Sequence, residues 1–195
     1  KKKKKILYLV TVNLLFVLTC LPIVTIGIAK ISLYQTLFDI KHQRRVSVIR
    51  KYSRAFKENW KLGLQLGAIE LLVSGICLLD LLLLWNQTAL PIQGIKALCL
   101  GLFLFMVLVL LAAYPLAARY QLTWRDCLQK ALLVTGLHFP WFFVMGGILL
   151  LLVMVLATSV LAFLLGGMVF FLIGFSSLAY FQVGLMEKIF ARYKE

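Results

Sequence analysis

Residues 62–85 read LGLQLGAIELLVSGICLLDLLLLW, 24 residues between Lys61 and Asn86 with two charges, Glu70 and Asp80. A helix of that length crosses the roughly 30 Å hydrocarbon core of a bilayer. Within it Gly63, Gly67, Glu70, Ser74 and Cys77 recur at steps of three and four. At 100° per residue they fall within about 40° of one line, and the other faces are mostly Leu, Ile and Val. The stretch predicts a membrane helix with a narrow small-residue seam along which another helix packs. A carboxylic acid in that seam needs a partner, a proton or water.

The rest of the chain fits this reading. Of its 195 residues 63% are hydrophobic, and mean hydropathy is +0.98, against roughly 45–50% apolar residues in a soluble domain. Net charge is +14, from 21 Lys and Arg against seven Asp and Glu. Such an excess can signal nucleic acid, but cytoplasmic loops of membrane proteins collect Lys and Arg, so no nucleic-acid partner is expected. Cys20, Cys77 and Cys99 lie in or beside apolar stretches and Cys127 in a basic one, with no CxxC pair or Cys/His cluster. Neither disulfide nor metal site is expected. The chain begins at Lys1 rather than Met, so residues upstream are expected. A signal peptide is not, because no polar mature domain follows the first apolar run.

Apolar segments at 6–29, 62–85, 96–118, 132–157 and 160–184 predict an all-α polytopic bundle of about five spans in one membrane domain. Lys and Arg crowd into 41–61 (Lys41, Arg44, Arg45, Arg50, Lys51, Arg54, Lys57, Lys61), 119–130 (Arg119, Arg125, Lys130) and the tail (Lys188, Arg192, Lys194). They are absent from 86–95 and from the turn at Thr158 and Ser159. That alternation predicts a cytoplasmic C-terminus. The first segment breaks it, since a single span over 6–29 leaves Lys1–Lys5 outside. The alternative is a hairpin of 6–21 and 28–40 broken at Pro22 and Gly27. Pro22 lacks a helix donor and Gly27 permits unusual dihedrals. We take the single span as the expectation, with Pro22 and Gly27 as a structural break.

Between the first two spans, Val46, Ile49, Tyr52, Phe56 and Trp60 fall on one helical face, opposite Arg50, Lys51, Arg54, Lys57 and Lys61. This predicts a basic amphipathic helix at the inner membrane surface. Thr123 and Asp126 have capping-box-like spacing and should open a helix just below the membrane, with Trp60 and Trp124 near the headgroups. Arg50, Arg54, Phe56, Lys57, Trp60, Arg119 and Trp124 form the expected partner or lipid surface. Gly146-Gly147 and Gly166-Gly167, with Gly167, Gly174 and Gly184 on one side of the last span, are expected to let helices pack closely.

Asn13-Leu14-Leu15-Phe16, followed by Leu21-Pro22-Ile23-Val24-Thr25-Ile26-Gly27, resembles the opening signature of the YesL-like family, bacterial membrane proteins of uncharacterised function. Arg54–Trp60, Tyr114–Tyr120, Ala131–Leu133 and His138–Pro140 resemble later blocks of the family in the expected order. Lys30 stands where the family favours small residues. The resemblance implies a bacterial cell membrane location and an accessory role in carbohydrate ABC import, with permease subunits as partners. It implies no catalytic residues.

No Walker loop, GxSxG, HExxH or Rossmann fingerprint occurs, so an enzyme is not expected. No cofactor is expected either. Asp80 lies ten residues beyond Glu70, about 15 Å along a helix, too far to act with it as an acid–base pair. It reads as an interfacial carboxylate. His138 has no second His at metal-ligand spacing and reads as a hydrogen-bonding residue. The leading functional expectation is a non-enzymatic accessory protein of a carbohydrate ABC importer. The alternative is a stand-alone small-solute transporter or channel with Glu70 as coupling site, which requires a water-accessible cavity meeting Glu70.

Overall fold

The computed structural model describes residues 2–42, 47–84, 90–120 and 122–192. Lys1, Arg44, Arg45, Val46, the turn at 86–89 and Lys194 lie outside the described residues. The helices are α1 (Lys2–Cys20), α2 (Ile26–His42), α3 (Val48–Glu58), α4 (Trp60–Leu84), α5 (Leu90–Arg119), α6 (Trp124–Leu137), α7 (Phe139–Ala157), α8 (Val160–Val169) and α9 (Phe175–Arg192). A 3-10 turn, Ile23–Thr25, precedes α2, and a π-helical segment, Phe170–Gly174, joins α8 to α9. Among the described residues there is no strand.

Four helical stretches are long and apolar enough to cross a membrane: Ile23–His42, Trp60–Leu84, Pro91–Arg119 and Gly166–Glu187. A fifth crossing exists if α6 and the first half of α7, which meet at 92°, form one broken span. The protein is an all-α, multi-pass membrane protein.

Two expected boundaries are corrected. Residues 6–29 are not one span: α1 stops at Cys20 and α2 starts afresh at Ile26. The break is built by Pro22, whose carbonyl accepts from the Thr25 backbone N–H at 3.0 Å and the Thr25 hydroxyl at 2.7 Å. Gly27 is not the break, for no residue described has a positive φ. Likewise 132–157 is not one straight helix. His138 closes α6, and Pro140 sits in the first turn of α7, the position where a missing N–H costs nothing.

Helix α2 is the axis of the bundle. In its most apolar window 61% of residues are buried, against 12% for α4 and 22% for α5. The outer helices thus turn most of their apolar surface to lipid, while α2 is packed by α1, α3, α4, α5 and α9. Side-chain pairs give the directions. Tyr34–Gln182 and Lys41–Glu187 advance together, so α2 and α9 run parallel. Glu70–Tyr114 and Cys77–Cys99 advance oppositely, so α4 and α5 are antiparallel. The C-terminal end of α2 therefore lies with the end of α9, and Arg119, at the end of α5, lies 5.5 Å from the ring of Phe38 on α2. The basic ends of the helices gather at one pole of the bundle.

Amphipathic α3 packs against α2, but rotated from the expected face. Val48, Tyr52 and Ala55 are buried, Phe56 is half-buried, and Ile49 is 64% and Trp60 52% exposed. Burial pushes the Tyr52 phenol well above its ordinary value, so it stays protonated and shares a hydrogen bond with Thr19 at 2.6 Å.

Candidate functional site

The seam on α4 divides into two parts. Gly63 and Gly67 meet Gly27 of α2 so closely that a Cβ on Gly27 would lie 2.2 Å from the Gly63 carbonyl oxygen and 2.8 Å from the Gly67 Cα. A Cβ on Gly63 would lie 2.6 Å from the Ile28 Cα. This is backbone-to-backbone contact that only glycine allows. Ser74 and Cys77 face α5 instead. They line a smaller recess with Cys99, whose carbonyl accepts from the Cys77 thiol at 3.8 Å. Asp80 also lies close to the Cys99 side chain on α5.

Glu70 stands between these parts, one turn above the glycine crossing. Its Oε1 lies 2.5 Å from the Lys30 Nζ, with the two side chains 28% (Lys30) and 25% (Glu70) exposed. Its Oε2 accepts from the Tyr114 hydroxyl on α5, and Lys30 also sits 4.8 Å from the centre of the Tyr114 ring. Close contact at Gly27 brings α2 near enough for Lys30, three residues on, to reach Glu70. A second polar link lies beside it: the Tyr34 hydroxyl donates to Gln182 Oε1, and Gln182 Nε2 donates to the Leu111 carbonyl, both at 2.5 Å. Together these groups join α2, α4, α5 and α9 at membrane depth.

They form one end of a cavity of about 280 Å³ whose remaining lining is apolar, including Val107, Leu111, Met145, Phe170, Phe175 and Phe181. Part of that wall is the π segment, and Asn13 holds it open. Fully buried, Asn13 donates from Nδ2 to the Phe171 carbonyl at 2.5 Å and accepts from the Ser176 N–H on Oδ1 at 2.8 Å. Its amide bridges the acceptor and donor that a five-residue helical step would otherwise pair, which is how an inserted side chain stabilises such a bulge. Phe16, one turn along α1, packs on Phe175 with centroids 5.2 Å apart.

The surface residues fall at the basic pole. Arg50, Arg54, Lys57 and Trp60 are exposed, with Arg54 bonded to Glu58 at 2.8 Å. Lys41 and His42 both contact Glu187, and Lys51 contacts Asp39. Trp124 opens α6 after the Thr123 N-cap, which accepts from the Asp126 N–H at 3.4 Å. His138 lies at the bend and meets no cluster of metal-ligating groups; among the described residues no three His, Cys, Asp or Glu come together to hold a metal ion. The expected close packing at the later glycines is corrected in part. A Cβ on Gly147 or Gly167 would meet nothing within 4 Å, one on Gly174 would strike the ring of Phe170 in its own helix, and Gly146 and Gly184 touch another helix, at Leu108 and Lys41. Gly147 and Gly167 face outward, and Gly174 makes room for the π segment.

Sequence reasoning singled out Glu70, Gly63 and Gly67 but missed Lys30 as partner, Tyr114, Tyr34, Gln182 and the role of Asn13. Lys30 carried a signal, since a lone cation in an apolar run needs an anion and few acids are available.

The chain is similar to a family of proteins of unknown function, DUF624, over residues 9–81. That region runs from α1 to near the end of α4, less than half of the chain. It contains Asn13, Gly27, Lys30, Gly63, Gly67 and Glu70, while Tyr114 and Gln182 lie beyond it. No curated protein and no solved structure matches the chain.

Proposed function

We propose that this protein is a non-enzymatic accessory component of a carbohydrate ABC importer, of the YesL-like kind, in the bacterial cell membrane with its C-terminus in the cytoplasm. The observation that carries the reading is the exposed cationic edge of α3. Arg50, Arg54 and Lys57 stand free of the bundle core at the pole where the other basic helix ends collect. At the cytoplasmic face such an edge suits acidic surfaces of permease subunits or anionic headgroups. The polar side chains at membrane depth, by contrast, are bonded to one another across helices, which supports a scaffolding role for them.

Affinity purification from the native host in mild detergent, followed by mass spectrometry, tests this. Sugar permease subunits should be recovered near stoichiometrically, and Arg50, Arg54 and Lys57 replaced together by Glu should lower recovery roughly tenfold, a loss of about 1.4 kcal/mol. Recovery of the protein alone sinks the accessory reading. It would leave small-solute transport with Glu70 as coupling site, which uptake into proteoliposomes would decide.

A further inference from the structure

The cavity beside Glu70 has a chemistry that fits neither a sugar nor an ion. Its volume of about 280 Å³ is near the lower end of small-molecule sites, roughly 300–1,000 Å³. Its walls are apolar except at one end, where Lys30, Glu70, Tyr114, Tyr34 and Gln182 meet. A sugar would leave most of its hydroxyls against Val, Leu, Met and Phe without partners, at a cost of about 1–3 kcal/mol each. The rim carries Ile148, 43% exposed, and Phe181, 55% exposed, on helices whose outer faces are apolar. Entry is therefore from the hydrocarbon of the bilayer.

The polar end also selects the head of whatever enters. Lys30 and Glu70 offset each other, so an added anion or cation would stand uncompensated at membrane depth. A hydroxyl suits both partners. It accepts one of the two ammonium protons that Lys30 does not give to Glu70, and donates to a remaining lone pair of the Glu70 carboxylate. The π segment that shapes the far wall, held by buried Asn13, is the kind of helix irregularity that recurs at functional sites.

We propose that this cavity binds a neutral single-chain amphiphile from the surrounding bilayer, its hydroxyl head bonded to both Lys30 and Glu70 beside their ion pair and its chain against Met145, Phe170, Phe175 and Ala179. The site is independent of the importer reading: it stands or falls whether or not permease subunits are recovered.

The test uses the full chain in vesicles of phosphatidylethanolamine and phosphatidylglycerol. The probe is a monoacylglycerol with a photoreactive diazirine in its chain, and adducts are mapped by mass spectrometry. Adducts should concentrate on Met145 and on 175–182. Ala179→Phe, which fills the cavity, and the pair Lys30→Met with Glu70→Leu should each lower the yield roughly tenfold, the scale of one hydrogen bond to a charged group. The matching fatty acid and alkylamine probes should label several-fold less. Adducts spread evenly onto lipid-facing Leu72 and Leu79, or equal labelling by all three heads, would overturn the proposal. So would unchanged labelling of a folded Ala179→Phe protein. If that variant does not fold, unlabelled monoacylglycerol in excess must suppress labelling of the wild-type chain, and failure to do so is equally decisive.

Discussion

A charge at membrane depth is tolerated when its partner is in place, and Lys30 with Glu70 meets that condition through one contact of 2.5 Å and the Tyr114 hydroxyl. Removing one partner leaves the other to be neutralised or solvated. Lys30→Met or Glu70→Leu alone should each cost on the order of 3 kcal/mol. The double replacement should restore more than half of that, because an apolar pair of similar volume is often as good as a paired charge. Thermal unfolding of the four proteins in one detergent gives the coupling; losses that simply add would mean the pair is not an energetic unit. Glu70 was legible in the sequence because it interrupts a small-residue face with fixed spacing. Its partner was not, for Lys30 lies 40 residues away and no local period links the two. Asn13 was less legible still. One amide in an apolar run gives no hint that both its ends serve a backbone defect about 160 residues on.

At the scale of elements, the α2–α4 crossing determines what the rest can do. Gly27 was read as a flexible point, yet its backbone is ordinary helix and its missing Cβ is what matters. Gly27→Ala puts a methyl group 2.2 Å from the Gly63 carbonyl oxygen, and backbone on both sides cannot step aside as a side chain tip would. The two helices must separate, at a cost near or above the upper end of the roughly 1–3 kcal/mol typical of overpacking. Gly75→Ala on the same α4 meets nothing within 4 Å and should be neutral or slightly stabilising through helix propensity. Equal melting of the two variants would show that the crossing is not tight. The rotated face of α3 shows why such contacts escape a hydropathy pattern. Large apolar side chains grouped Ile49 and Trp60 with Tyr52, but the core took Ala55 and Val48 instead. In lipid, apolarity does not distinguish a side chain facing a neighbour from one facing the bilayer, whereas small size does. The glycine face of α4 could be read for that reason and the packed face of α3 could not.

For the whole molecule, the decisive regularity is the collection of basic helix ends at one pole. The contacts of Lys41 with Glu187, Lys51 with Asp39 and Arg119 with Phe38 place the ends of α2, α5 and α9 and the start of α3 together. Trp141 and Phe142, in the first turn of α7, line a small recess with Leu185 and Met186 of α9, next to Glu187, and from there α7 runs 19 residues to Ala157, about 28 Å at helical rise, nearly the thickness of the hydrocarbon core. The turn at Thr158 and Ser159 should thus emerge on the opposite side from α3, even though α6 and α7 meet at a right angle rather than forming one straight span. If the basic pole is cytoplasmic, single cysteines report it. The native Cys20, Cys77, Cys99 and Cys127 are all free thiols and must first be replaced. A membrane-impermeant maleimide should then label Ser159→Cys on intact cells. Ser53→Cys on the exposed side of α3 and Gln129→Cys on α6 should label only after the cells are broken. Labelling of all three from outside would invert the orientation of the pole. Labelling of Ser159→Cys only after disruption, together with Ser53→Cys, would mean that α7 returns without crossing, and the α6–α7 bend would then be a re-entrant loop with four crossings instead of five.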